Sequence, residues 1–393
     1  MNAMVSPTPG TETLDIIHHL IGFDTVSRNS NLGLIEWVRD HLARLGVRSR
    51  LTYDSGGGKA NLFATLGGAG GPGLVLCGHT DVVPVDGQPW NTDPFRAEIR
   101  EGRIYGRGSC DMKSFIACVL AAAPQLLAAK LKIPVHLAFT YDEEVGCVGV
   151  TTLLADLERE GIRPSGCIVG EPTGMQVMTA HKGQRVYRCC VRGLEAHSSL
   201  TPFAVNAIEY AARMVSFIRD VAEEVRRNGP RDEKFSVPHT TMQTALITGG
   251  TAPNIVPRDC EFQFDLRYLP GTDPSNLVER IERYAVTSLV PEMREVSEDA
   301  GIRLELLTEA PDLNTAEDDP LTHLGTRLTG NSALGRVGFA TDGGCFHRAG
   351  VPTIVVGPGS IEQAHKPNEF IALEQVAQCE RFLARLRDNL GAR

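Results

Sequence analysis

Four times along this chain a short apolar, β-branched run stops at a turn that carries a histidine or a carboxylate, and this recurrence restricts the fold more than any other feature. Leu74-Val75-Leu76-Cys77 leads into Gly78-His79-Thr80-Asp81, and residues 133–140 lead into Asp142-Glu143-Glu144. Cys167-Ile168-Val169 leads into Gly170-Glu171-Pro172, and residues 353–356 lead into Gly357-Pro358-Gly359 and the segment with His365. Uninterrupted apolar runs of this length suit strands covered on both faces, and helical patterns at 111–129, 148–160 and 373–389 can cover them. The pattern predicts an α/β fold with a mostly parallel central sheet. In such sheets ligands bind beyond the carboxyl ends of the strands, which is where these His, Asp and Glu residues fall.

The middle of the chain breaks the rhythm. Residues 183–192 alternate as a half-exposed strand does, and 202–227 have the spacing of an amphipathic helix. Strand-like runs follow at 241–248 and 260–268, then a helix from 274 to about 296 and a strand at 302–307. The order β-α-β-β-α-β is that of ferredoxin-like domains. An inserted domain is therefore expected at 181–311, with a discontinuous catalytic domain built from 1–180 and 312–393. A length of 393 residues is in keeping with two cores.

Composition excludes several classes. With 39 Lys+Arg against 48 Asp+Glu the net charge is −9, which leaves no basic footprint for nucleic acid. The most apolar stretch, 115–129, is interrupted by Pro124 and Gln125 and is too short to span a bilayer. Residues 1–13 lack the basic start and apolar run of a secretory signal, so a cytoplasmic protein is expected. The ten cysteines form no Cys-x-x-Cys pair and read as reduced, buried thiols, with Cys189 and Cys190 on opposite faces of a strand.

Taken singly, each polar turn residue has a plain structural use. His79 and Asp81 are two apart at a strand end, so their side chains share a side, and a carboxylate often orients a ligand histidine. Asp111 closes the turn Gly106-Arg107-Gly108-Ser109-Cys110 and reads as the N-cap of the helix that follows. Glu143 and Glu144 are neighbours whose side chains diverge, which allows one to hold a cation while the other faces substrate as a base. Glu171 fits a solvated turn and His365 an ordinary loop. Two histidines and four carboxylates at one sheet edge are another matter. Mixed nitrogen and oxygen donors suit Zn²⁺, and Co²⁺ or Mn²⁺ less specifically. Two such ions sharing a bridging carboxylate activate water, and the chemistry this supports is hydrolysis.

These motifs, with Ala196-His197-Ser198 and in this order, resemble the acetylornithine deacetylase and succinyl-diaminopimelate desuccinylase family of dinuclear zinc amidohydrolases, over about residues 14–386. The resemblance implies a zinc-exopeptidase-like catalytic domain with an inserted lid and dimerisation domain. It implies that His79 and Glu171 hold one zinc, that Glu144 and His365 hold the other, and that Asp111 bridges them. It makes Asp81 the residue that orients His79 and Glu143 the general base. His197 would stabilise the oxyanion, from its own chain or across a homodimer formed through the inserted domain. Asn254 and Arg267 match substrate-binding positions, and Gly343 and Gly344, just before a helix, offer backbone N–H groups to a substrate carboxylate. Ser114 departs from the glycine common in relatives and should affect packing alone.

Within the family, Gly170-Glu171-Pro172-Thr173, Ala180-His181-Lys182-Gly183, Ala196-His197-Ser198-Ser199 and Thr341-Asp342-Gly343-Gly344 are more similar to the deacetylase branch. The implied reaction is N²-acetyl-L-ornithine plus water giving L-ornithine and acetate, in arginine biosynthesis. The alternatives are a desuccinylase, a broader N-acyl-amino-acid amidohydrolase or dipeptidase, and a metal-binding module without hydrolysis.

Overall fold

The computed structural model of the chain describes residues 8–68 and 71–391; residues 1–7, on which much of the N-terminal reading rests, lie outside them. The described chain divides into two compact units, one made of residues up to 181 with 313–336 and 340 onward, the other of Lys182–Asp312 with Val337–Phe339.

The first unit opens with helices Thr11–Ile21 and Leu32–Arg44 and then lays down β1 (Ser49–Tyr53), β2 (Ala60–Leu66), β3 (Leu74–His79), β4 (Glu98–Arg100), β5 (Arg103–Tyr105), β6 (Val135–Thr140), β7 (Gly166–Val169) and β8 (Val177–His181). The second unit contributes β9 (Gly183–Arg192), β10 (Thr241–Gly249), β11 (Asp259–Tyr268) and β12 (Gly301–Ala310). The chain then returns with β13 (Leu313–Asn314), β14 (Leu334–Val337), β15 (Thr353–Val355) and β16 (Phe370–Ala372).

The main sheet runs β1-β2-β6-β3-β7-β15-β8-β13, with β14 on β8. Its centre, β6-β3-β7-β15, is parallel, and β2 and β8 flank it antiparallel. Every residue of β3, β6, β7 and β15 is buried, as expected of strands covered on both faces. Helix Lys113–Ala128 is apolar nearly all round and packs among helices Thr11–Ile21 and Leu373–Leu390. A smaller sheet, β16-β5-β4, joins the chain before the Gly106 turn to the chain after His365.

In the second unit the antiparallel order is β10-β11-β9-β12. Helices Ala207–Asn228 and Ser275–Tyr284 bury Ala211, Met214, Ile218, Val278 and Ile281 against Tyr187, Cys189, Phe262, Phe264 and Leu266 on one face of this sheet. The expected helix at 202–227 begins later. Residues Ser198–Phe203 form a 3₁₀ segment, and Asn206 accepts from the N–H groups of Ile208 and Glu209 to start the helix at Ala207. The helix expected from 274 to 296 passes through a π turn at Ala285–Leu289 into Val290–Arg294. All ten cysteines are free, and Cys189 is buried where Cys190 is half-buried. Among the described residues no helix is long and apolar enough to cross a membrane.

Candidate metal centre

Parallel neighbours deliver the polar side chains to one edge. His79 is the last residue of β3 and pairs with Thr140, the last of β6, so the turn with Glu143 and Glu144 emerges beside it. β7, on the other side of β3, ends at Val169 two residues before Glu171. The next strand, β15, leads to Gly357, where a Cβ would sit 1.9 Å from the Gly170 carbonyl oxygen; only glycine lets the two chains cross so closely.

The five expected ligands meet around Asp111. His79 Nε2 lies 2.9 Å from Asp111 Oδ1 and 3.4 Å from Glu171 Oε1. His365 Nε2 lies 3.4 Å from Asp111 Oδ2 and 3.0 Å from Glu144 Oε2. One carboxylate oxygen of Asp111 thus faces each histidine, and each histidine has a glutamate of its own. Donor atoms of His79, Asp111 and Glu144, and of His79, Glu143 and Glu171, lie within 4.8 Å of one another.

The electrostatics fit a cationic occupant. Four carboxylates, Asp111, Glu143, Glu144 and Glu171, share this space with two imidazoles. Burial, reinforced by Asp111, pushes Glu171 up to about 8, and burial raises Glu144 and Glu143 as well. Burial works against a charged His79, yet the Glu171 and Asp111 carboxylates hold it well above the usual imidazole range. Hydrogen bonds to Asp111 and Glu144 push His365 up to about 10. Left to itself the cluster retains protons to offset its negative charge, and divalent cations would replace those protons through oxygen and nitrogen donors that Zn²⁺ and its neighbours accept.

Groups around this cluster hold it in place. Asp81 is buried and accepts from Ser27 Oγ at 2.7 Å and from the N–H groups of Glu143 and Glu144 at 3.1 and 3.3 Å. Lys59 reaches Asp142, whose φ of 54° starts the turn. Cys147 and His365 also take positive φ, 54° and 63°. Glu369, fully buried, accepts from Cys110 N–H at 2.8 Å, Asp111 N–H at 3.1 Å, Gly108 N–H at 3.1 Å and Arg107 Nη1 at 2.8 Å. It fixes the turn that carries Asp111. Sequence reasoning missed Glu369, since its partners lie about 260 residues away and nothing local announces them.

Three expectations need correction. Asp111 is not the N-cap of the following helix: Met112 occupies that position without a side-chain bond, and Asp111 is turned to the histidines instead. His79 Nδ1 is held at 2.9 Å by the main-chain oxygen of Asp81, with the Asp81 carboxylate at 3.7 Å, so the carboxylate's closer partners are the two glutamate N–H groups. Gly343 and Gly344 sit inside the first turn of helix Asp342–Arg348, not before it. Thr341 Oγ1 takes the Gly343 N–H and the Thr341 carbonyl takes that of Gly344, so neither is spare for a ligand. Ser114 is buried and donates to the Ser109 carbonyl at 2.5 Å, within the turn before Asp111.

His197, Asn254 and Arg267 belong to the second unit. His197 is exposed, pairs with Ser199, and lies beside Asn254, whose carbonyl accepts from the Ser198 N–H at 3.0 Å. Arg267 donates to the Gly338 carbonyl at 3.3 Å and approaches Asp265 at 3.4 Å.

Comparison with known proteins bears on these groupings. Residues 75–389 match the model of peptidase family M20/M25/M40. An acetylornithine deacetylase of Myxococcus xanthus is 35% identical over 378 residues, 93% of this chain and 94% of that protein. Another, of Pasteurella multocida, is 34% identical over 91% of each chain. Among solved structures, the metallo-carboxypeptidase Sso-CP2 of Sulfolobus solfataricus superposes with a TM-score of 0.74 at 20% identity, over 95% of this chain and 99% of that one. Aminopeptidase PepT of Bacillus cereus gives 0.72 at 20% identity, over 98% and 100%.

Proposed function

The chain belongs to peptidase family M20/M25/M40 and is a metal-dependent amide hydrolase, and from that premise we propose that it releases acetate from N²-acetyl-L-ornithine to give L-ornithine, in arginine biosynthesis. The observation that carries the hydrolytic reading is the division of Asp111 between His79 and His365, with Glu143 beside them. The substrate rests on the relatives, which carry the deacetylase name at 34–35% identity over more than nine-tenths of the chain.

In this reading His79 and Glu171 would hold one cation, Glu144 and His365 the other, and Asp111 would serve both, with Zn²⁺ preferred and Co²⁺ or Mn²⁺ tolerated. A bound pair of such ions lowers the pKa of water and offsets charge on a carbonyl oxygen. Glu143 accepts a proton from the attacking water on its carboxylate and passes it to the departing amine nitrogen. Asp81 orients His79 through the main-chain oxygen that holds Nδ1, and its carboxylate fixes the turn of Glu143 and Glu144 through both of their N–H groups. His197 donates to the developing oxyanion, from its own chain or from a second copy in a homodimer made through the inserted domain at 181–311. Asn254 contacts the substrate, and Arg267 pairs with the substrate carboxylate through donors its own neighbours leave over. The protein works in the cytoplasm.

The test is steady-state hydrolysis of N²-acetyl-L-ornithine beside succinyl-diaminopimelate and acetyl-methionine. Preference for acetyl-ornithine, abolished by chelator and restored by zinc, is expected. Metal-dependent preference for another of these substrates would refute the pathway and keep the hydrolase.

A further inference from the structure

A second convergence of ligand atoms lies beside the pair of cation sites and includes Glu143, the residue assigned above as the base. The turn from Glu143 closes on itself: the Cys147 N–H donates to the Glu143 carbonyl at 2.9 Å, and the Cys147 backbone has a φ of 54°. Its thiol comes to 3.6 Å from Glu143 Oε1. Asp342, 1% exposed, approaches the same point from the start of helix Asp342–Arg348. Its Oδ2 accepts from Thr140 Oγ1 at 2.6 Å. Its Oδ1 is buried with no N–H or O–H donor bonded to it, and the Cys147 thiol is the group placed to donate to this carboxylate. One oxygen of Glu143, the sulfur of Cys147 and one oxygen of Asp342 lie within 4.8 Å of one another.

A buried carboxylate oxygen whose available donor is a thiol is poorly satisfied, which favours a stronger partner. The thiol is a weak donor and a soft ligand once deprotonated. Two carboxylate oxygens and a thiolate form a set that Zn²⁺ and heavier thiophilic ions accept. We propose that Glu143, Cys147 and Asp342 bind a third divalent cation, Zn²⁺ or Cd²⁺, with the Cys147 proton released to solvent as the sulfur–metal bond forms. None of the five ligands of the pair is a cysteine, so sulfur marks this site alone. Occupancy also takes the Glu143 carboxylate away from proton transfer; that consequence rests on the base assignment above, whereas the site rests on its own geometry.

The probe is Cd²⁺ alone. Reduced, metal-stripped protein is titrated while the ultraviolet thiolate-to-cadmium charge-transfer band and the cadmium bound per chain are both read. Wild type is expected to saturate at three ions with the band present. Cys147→Ser should lose the band and saturate at two. Asp342→Asn, which keeps the thiol, should bind the third ion at least tenfold more weakly. Saturation of wild type without a band, or a band equally strong in Cys147→Ser, would overturn the proposal. The count in Cys147→Ser reads the pair and the band reads the third site, so failure of one is distinguishable from failure of the other.

Discussion

Replacing Glu369 with glutamine isolates the contribution of the residue that holds the Asp111 turn. The wild-type carboxylate serves four donors, with Cys110 and Asp111 N–H on Oε1 and Gly108 N–H and Arg107 Nη1 on Oε2. Glutamine keeps one acceptor oxygen and puts an NH₂ group in place of the other. Whichever way it turns, two donors then face hydrogens. Arg107 and Glu369 are each 1% exposed, so no solvent screens the lost charge. Breaking a buried ion pair by removing one partner costs about 3–5 kcal/mol. A stranded N–H adds about 1–3 kcal/mol, partly recovered by relaxation of the turn. Taking about 4 kcal/mol in all, at about 2 °C per kcal/mol for a unit of this size, the melting temperature of metal-free protein should fall by about 8 °C. Because the Asp111 N–H loses its anchor, metal affinity should drop as well, by roughly 10–100-fold. Thermal unfolding by near-ultraviolet circular dichroism and competitive zinc titration read the two effects. A change under about 2 °C, with affinity intact, would refute the claim that Glu369 holds the bridging aspartate.

Other perturbations address separate parts of the account. Glu143→Gln should bind metal at the pair as wild type does while turnover falls about 10²–10⁴-fold; unchanged turnover would remove Glu143 from the role of base. Gly357→Ala places a Cβ 1.9 Å from the Gly170 oxygen, a backbone clash that no rotamer relieves, and should cost on the order of 3 kcal/mol in chemical denaturation. His136 stacks on Phe63, its Nε2 is buried without a partner, and burial lowers its pKa. The unfolded chain takes up this proton as pH falls through about 6.5 and the folded chain resists it, so stability is intact above that pH and declines below it. His136→Leu should reduce the decline between about pH 7 and 5, and an identical pH profile in the variant would contradict the assignment.

The parallel core was legible because its strands are apolar runs of the right length, and their ends announced His79, Glu143, Glu144 and Glu171. The inserted unit was legible from the order of its periodicities. What local pattern could not supply was the use of groups with more than one physical outlet. An aspartate before a helix can cap it or turn away, and Asp111 turns away because two imidazoles offer stronger partners than one N–H. Paired glycines before a helix resemble an anion site, but Thr341 already fills that place. Glu369 and Ser27 meet their partners only after the chain has folded. The helix at 207 rather than 202 reflects Asn206, whose side chain satisfies two N–H groups that Pro202 could not organise.

The central claim is that one aspartate is shared by two cations, each with its own histidine and glutamate. An anomalous-scattering map of crystals loaded with two equivalents of zinc tests it most directly. Two zinc peaks per chain are expected, one on each oxygen of Asp111, the first also reached by His79 and Glu171 and the second by Glu144 and His365. A single peak, or a second peak remote from Asp111, would contradict the account.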